Sequence, residues 1–183
     1  MRIVVSGTHA SGKTTLIDDL LAVHGDYERW GDPFEFVDDA LDEPDASTFF
    51  EQLVSSARRL AAADATGHPI IAERGPIDFL AYLAALVELR RGGRSEALLD
   101  RGFGIGATAM RHVDLLVVLP LAHRDAIRIG DDEDPELREA MNDALLELCD
   151  DPDLVGEGTR VIEVSGDRAA RVAAVEAALA EYG

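Results

Sequence analysis

Residues Gly7 to Thr15 read Gly-Thr-His-Ala-Ser-Gly-Lys-Thr-Thr, and the fold turns on how this stretch is read. The run before it, Ile3 to Ser6, is short and apolar, as a buried strand is. After it, Leu16, Leu20 and Val23 recur at helical spacing, so Lys13 to Val23 reads as a helix. A glycine-rich turn between a strand and a helix lets several backbone N–H groups converge on one point. The helix N-terminus adds positive potential there, and together they make an anion cradle.

The spacing GxxxxGK[ST] in this strand–helix context is the phosphate-binding P-loop. Its nine residues, Gly7, Thr8, His9, Ala10, Ser11, Gly12, Lys13, Thr14 and Thr15, are the candidate nucleotide contacts. Lys13 is expected to reach the β and γ phosphates, and Thr14 to ligate Mg²⁺. His9 lies in the loop without being required by it. Lys13 is also the only lysine of the chain; every other basic side chain is an arginine. A guanine-reading N/TKxD motif needs a second lysine, so ATP is the expected nucleotide.

The rest of the chain alternates strands with helices. Tyr27–Trp30, Pro69–Ala72, Val113–Leu119 and Arg160–Val164 read as strands. Ala46–Thr66, a helix starting at Pro76 and running to Leu89, Ser95–Met110, Pro135–Cys149 and Arg168–Ala180 read as helices. Gly102, Gly104 and Gly106 weaken the propensity of the Ser95–Met110 segment. Strands separated by helices imply a parallel sheet covered on both faces. The expected architecture is α/β, and the likeness of Gly7 to Thr15 to a P-loop implies the three-layer P-loop NTPase fold, with a five-stranded parallel sheet in the order 2-3-1-4-5. It is expected to form one domain over residues 1–183, with a helical lid at about 121–150.

Composition narrows the partners. The formal charge is -19 over 183 residues, which disfavours nucleic acid. No apolar run approaches the ~20 residues that span a bilayer. The single cysteine, Cys149, excludes an internal disulfide and a cysteine-rich zinc site, and a reducing cytoplasm fits that usage. The oligomeric state stays open between monomer and homodimer.

Four constellations bear on a second substrate. Asp32-Pro33-Phe34-Glu35 follows the second strand, where strand ends face the phosphate site; Asp32 is a candidate general base and Phe34 a cleft residue. Gln52 and Arg59 lie two turns apart on one helix, and the amide of Gln52 suits a ring edge. Glu73-Arg74 ends the third strand. A carboxylate there can hold Mg²⁺ and an arginine can neutralise a transferred phosphate. His123, Arg124, Arg128 and Glu133 follow the fourth strand, with Arg124 and Arg128 on one helix face.

In this order the elements resemble the deoxynucleoside kinase family. That family carries an acidic-Pro pair, Phe-x-x-Gln with a later Arg, Glu-Arg-Ser, and a His-Arg-x-x-x-Arg-Gly-Arg-x-x-Glu lid. Here the matches are Asp32-Pro33, Phe49 to Gln52 with Arg59, Glu73-Arg74, and His123, Arg124, Arg128 and Glu133. The segment Glu73-Arg74-Gly75-Pro76-Ile77-Asp78-Phe79-Leu80-Ala81-Tyr82 also looks like one carried by small kinase-like ATPases related to the ribosylnicotinamide kinase domain. The resemblance implies Asp32 as base and Gln52 as reader of the acceptor ring. It implies Arg59 and Arg74 as braces, Arg124 near adenine, Arg128 on the transferring phosphoryl group and Glu133 on the acceptor sugar. The segment Gly102 to Gly106 is unlike a nucleoside cleft helix, and two further departures stand out. Ile129-Gly130 replaces Gly-Arg in the lid, leaving Arg138 as a substitute cation, and Gly75 replaces Ser. The expected activity is transfer of the γ-phosphoryl group of ATP, with Mg²⁺, to a hydroxyl of a small nucleoside-like or ribosyl acceptor. The alternative is a P-loop ATPase or nucleotide switch acting through a protein partner.

Overall fold

The computed structural model describes residues 1–33, 45–64, 67–91, 93–121 and 134–182. Five strands, β1 (Arg2–Ser6), β2 (Glu28–Trp30), β3 (Ile70–Glu73), β4 (Leu115–Val118) and β5 (Arg160–Glu163), form one sheet in the order β2-β3-β1-β4-β5. All four pairings are parallel. This is the expected order.

The helices are α1 (Lys13–Val23), α2 (Ala46–Asp64), α3 (Pro76–Glu88), α4 (Ser95–Met110), α5 (Pro135–Cys149), α6 (Pro152–Val155) and α7 (Arg168–Ala180). Only the short α6 was not anticipated. Its Asp151 cap accepts from the Asp153 amide, followed by Pro152 at the first turn. Asp-Pro there reads equally well as a simple turn.

Alternation along the strands divides the interior in two. Val4, Ala72, Leu116 and Val118 point to one face and pack with residues of α2, α3, α4 and α5. Ile3, Val5, Ile71, Leu115 and Val117 point to the other and pack with α1 and α7. Three layers result, and the middles of the central strands are apolar because both of their faces are covered. No helix among the described residues is long and apolar enough to cross a membrane.

Helix α4 is regular despite its glycines. A Cβ at Gly102 would stand 2.7 Å from Leu53 Cδ2, and one at Gly106 would stand 2.4 Å from Leu80 Cδ1. The missing side chains let α4 sit directly on α2 and α3, so the propensity lost locally is recovered as contact.

Register places the site. Val5 pairs with Glu73 and with Val117, and Ser6 pairs with Val118. The carboxyl ends of β1, β3 and β4 therefore lie side by side, with the segment after β2 beside them. Of the region expected to form a lid, 122–133 lies outside the described residues, and α5 packs on α3.

Candidate nucleotide site

The loop from Gly7 to Gly12 leaves β1 and enters α1 with no side-chain cap, so the first amides of the helix are open to an anion. Gly12 sits at φ 92°, in the left-handed region. Lys13 is buried, and its Nζ donates to the Thr8 carbonyl at 2.8 Å, folding the side chain back over the loop. Burial lowers the Lys13 pKa from 10.5 to about 8, and the Arg74 charge adds to this. Asp78, Glu73 and Asp32 resist the fall.

Arg74 is the second buried cation. It follows β3 with φ 65°, a left-handed turn uncommon for a residue with a side chain. Its Nε donates to Asp32 Oδ2 at 2.9 Å and its Nη1 to the Gly7 carbonyl at 3.0 Å. The guanidinium also lies 5.5 Å from the Tyr82 ring centre, and Tyr82 stacks on Phe49. Burial alone works against its charge, but Tyr82, Asp32 and Asp78 outweigh burial, and the Arg74 pKa ends above its ordinary value. Gly75 then passes so close to Val4 that a Cβ would stand 2.7 Å from Val4 Cγ1. That contact is the physical reason a serine has no room there.

Asp78, quoted in the sequence motif without a role, anchors the junction. Fully buried, it accepts from Ser6 Oγ (2.6 Å), the Gly7 amide (3.0 Å) and the Gly75 amide (2.8 Å). Burial raises its pKa; Arg74 and the three donors counter that.

Thr14 Oγ1 donates to Glu73 Oε1 at 2.8 Å. The other Glu73 oxygen is buried and has no hydrogen-bond partner among the described residues. A hydroxyl beside an unsatisfied carboxylate is a hard oxygen donor set of the kind Mg²⁺ takes.

The loop is also gripped from outside. Arg138 of α5 donates through Nε to the His9 carbonyl at 3.1 Å. Arg171 of α7 bridges the Ser11 carbonyl (2.9 Å) and the Gly166 carbonyl (2.8 Å). The sequence reading did not single out Arg171, because a helix-borne arginine 160 positions from its partner has no local signal.

The acceptor-side residues are only partly gathered. Asp32 is brought to Arg74. Gln52 is half-buried on α2, whereas Arg59 is exposed and lies 4.3 Å from the Trp30 ring centre, on the side of the edge strand. Phe34, His123, Arg124, Arg128 and Glu133 lie outside the described residues. Cys149 is half-buried, and burial pushes its thiol up to about 12, so it is inert as a nucleophile.

The family model described as an AAA domain matches residues 2–171. Among solved structures, deoxyadenosine kinase from M. mycoides with bound dATP is similar at 16% identity. It covers 98% of this chain and 100% of that one, with a TM-score of 0.73. Thymidylate kinase from Candida albicans is similar at 15% identity, over 99% of this chain and 91% of that one, with a TM-score of 0.74. No curated protein sequence matches. The shared fold is thus observed, at identities too low to carry a substrate across.

Proposed function

Because the chain belongs to the AAA domain family, with the P-loop and its buried lysine in place, we propose that it transfers the γ-phosphoryl group of ATP to a hydroxyl of a small nucleoside-like or ribosyl molecule. The observation that carries this reading is the Asp32–Arg74–Gly7 chain, in which one buried guanidinium joins a carboxylate to the phosphate loop. A carboxylate held in this way is placed to take the proton of an attacking hydroxyl. Kinase structures with this fold support the same direction.

The chemistry divides among named groups. The loop amides and Lys13 bind the donor phosphates. Asp32 takes the proton of the acceptor hydroxyl as that oxygen bonds to the γ phosphorus and the bond to ADP breaks. Arg74, kept cationic by its neighbours, faces the charge spread over the moving phosphoryl group. Thr14 and Glu73 would hold Mg²⁺, which when bound neutralises phosphate charge. Gln52 and Arg59 are proposed to face the acceptor, with Phe34, Arg124, Arg128 and Glu133 completing the site.

The test is a coupled assay of ADP release with Mg-ATP and a panel of nucleosides, ribosylnicotinamide and aminoglycoside-like alcohols, with the products identified by mass. One class should accelerate ADP release and gain a phosphate. Equal slow release with every acceptor would sink the kinase reading and return the protein-directed ATPase.

A further inference from the structure

Two cations rest on consecutive carbonyls of the phosphate loop. Lys13 Nζ occupies that of Thr8 at 2.8 Å, and Arg138 Nε occupies that of His9 at 3.1 Å. Lys13 is the side chain a P-loop offers to the outer phosphates, so Arg138 lies beside the same end of the cradle. The two outer arginines differ in how they are used. Arg171 spends both Nε and Nη1 on carbonyls of two segments, which makes it a tie between them. Arg138 spends only Nε; its two terminal nitrogens bond nothing among the described residues.

The helix that carries Arg138 is firmly placed. The Asp134 side chain caps α5 by accepting from the Glu136 and Leu137 amides. Arg91 pairs with both Asp134 and Glu136. Asn142 Oδ1 accepts from the Leu121 amide at 2.8 Å, tying α5 to the end of β4. Arg138 is thus presented by a fixed element.

Charge gives it a task. Around Lys13 stand three carboxylates, Asp32, Glu73 and Asp78, and one further cation, Arg74. Arg74 shares its guanidinium with Asp32 and the Gly7 carbonyl. The carboxyl groups around Lys13 thus outnumber the cations there before the charge of any nucleotide is added. A phosphate oxygen is a far better acceptor for a guanidinium than a neutral carbonyl, because a charge-assisted bond is roughly twice as strong.

We propose that Arg138 is a catalytic residue: on ATP binding its guanidinium moves from the His9 carbonyl to the γ phosphate and holds it through transfer. The inference rests on the donor half of the proposed function and is independent of the acceptor.

Dissociation constants for Mg-ATP and Mg-ADP separate this role from mere support of the loop. In Arg138→Ala, ATP should weaken roughly tenfold while ADP stays within about twofold. Turnover of ATP should fall roughly 10²–10³-fold. Arg138→Lys should restore part of the ATP preference, and thermal melts of both variants report whether the fold is intact. Equal weakening of both nucleotides would assign Arg138 to loop support and overturn the proposal, as would unchanged binding of both. Wild-type protein that binds ATP but phosphorylates no acceptor would remove the acceptor reading alone, because the ATP-against-ADP comparison still decides Arg138. A wild-type chain that binds neither nucleotide overturns both.

Discussion

Replacing Lys13 with methionine should stabilise the nucleotide-free protein while removing its activity. Lys13 is 4% exposed, and its pKa falls from 10.5 to about 8, chiefly through burial. Keeping it charged at pH 7 therefore costs the fold roughly 3 kcal/mol, at 1.36 kcal/mol per pH unit. Methionine fills a similar volume without charge but gives up the hydrogen bond to Thr8, worth about 1 kcal/mol. The net gain is about 2 kcal/mol at pH 7, or roughly 4–8 °C in Tm for a chain of this size. The sign with pH follows from proton counting. Between about 8 and 10.5 the unfolded lysine keeps its proton and the folded one has lost it, so wild-type stability rises through this window. The advantage of the variant should shrink to under about 1 kcal/mol by roughly pH 9.5. Urea unfolding of both proteins at pH 7 and 9.5, without nucleotide, reads the effect directly. A variant no more stable than wild type at pH 7, or a gap that does not change with pH, would refute the reasoning. Retained ATP turnover in Lys13→Met or Lys13→Ala would overturn the P-loop assignment itself.

The other variants address separate parts of the site. Asp32→Asn should lower phosphoryl transfer by roughly 10²–10⁴ with ATP affinity retained, and an unchanged rate would remove Asp32 as the base. Glu73→Gln should raise the Mg²⁺ concentration needed for half-maximal turnover, because it removes charge from the carboxylate beside Thr14; the same metal titration curve as wild type would exclude Glu73 as a ligand. Gly106→Val, whose side chain would collide with Leu80, should destabilise the fold by about 1–3 kcal/mol in denaturant titration. Wild-type stability in that variant would mean that α4 does not approach α3 as described.

How much of this was legible in advance differs by element. The P-loop and the parallel sheet were readable because a local motif fixes the first strand and helix and the alternating pattern implies the sheet; the strand order came with the fold that the motif implies. Ser95–Met110 read as a weak helix, since propensity sees only the cost of Gly102 and Gly106 and not the leucines they admit. Asp32 and Arg74 were both visible as strand-end residues, but their 2.9 Å pairing was not, because it depends on a left-handed turn at Arg74 that no side-chain preference announces. Asp78 looked like part of a motif; its three donors come from β1, the phosphate loop and the start of α3. Arg138 was readable as a substitute lid cation, but its contact with the loop 129 positions away was not, nor was that of Arg171 across 160, because pattern reading has nothing to measure at such separations.

Those long separations bear on how the protein comes into being. Along the sequence the phosphate loop precedes every residue that grips it from outside, and the motif is complete by Thr15. Three of its carbonyls are held from without by Arg74, Arg138 and Arg171, which follow much later in the sequence. A nascent chain short of α7 thus carries every residue of the motif in an unfinished setting. Nucleotide affinity should therefore appear late in synthesis, as a sign that the distant half of the chain has docked.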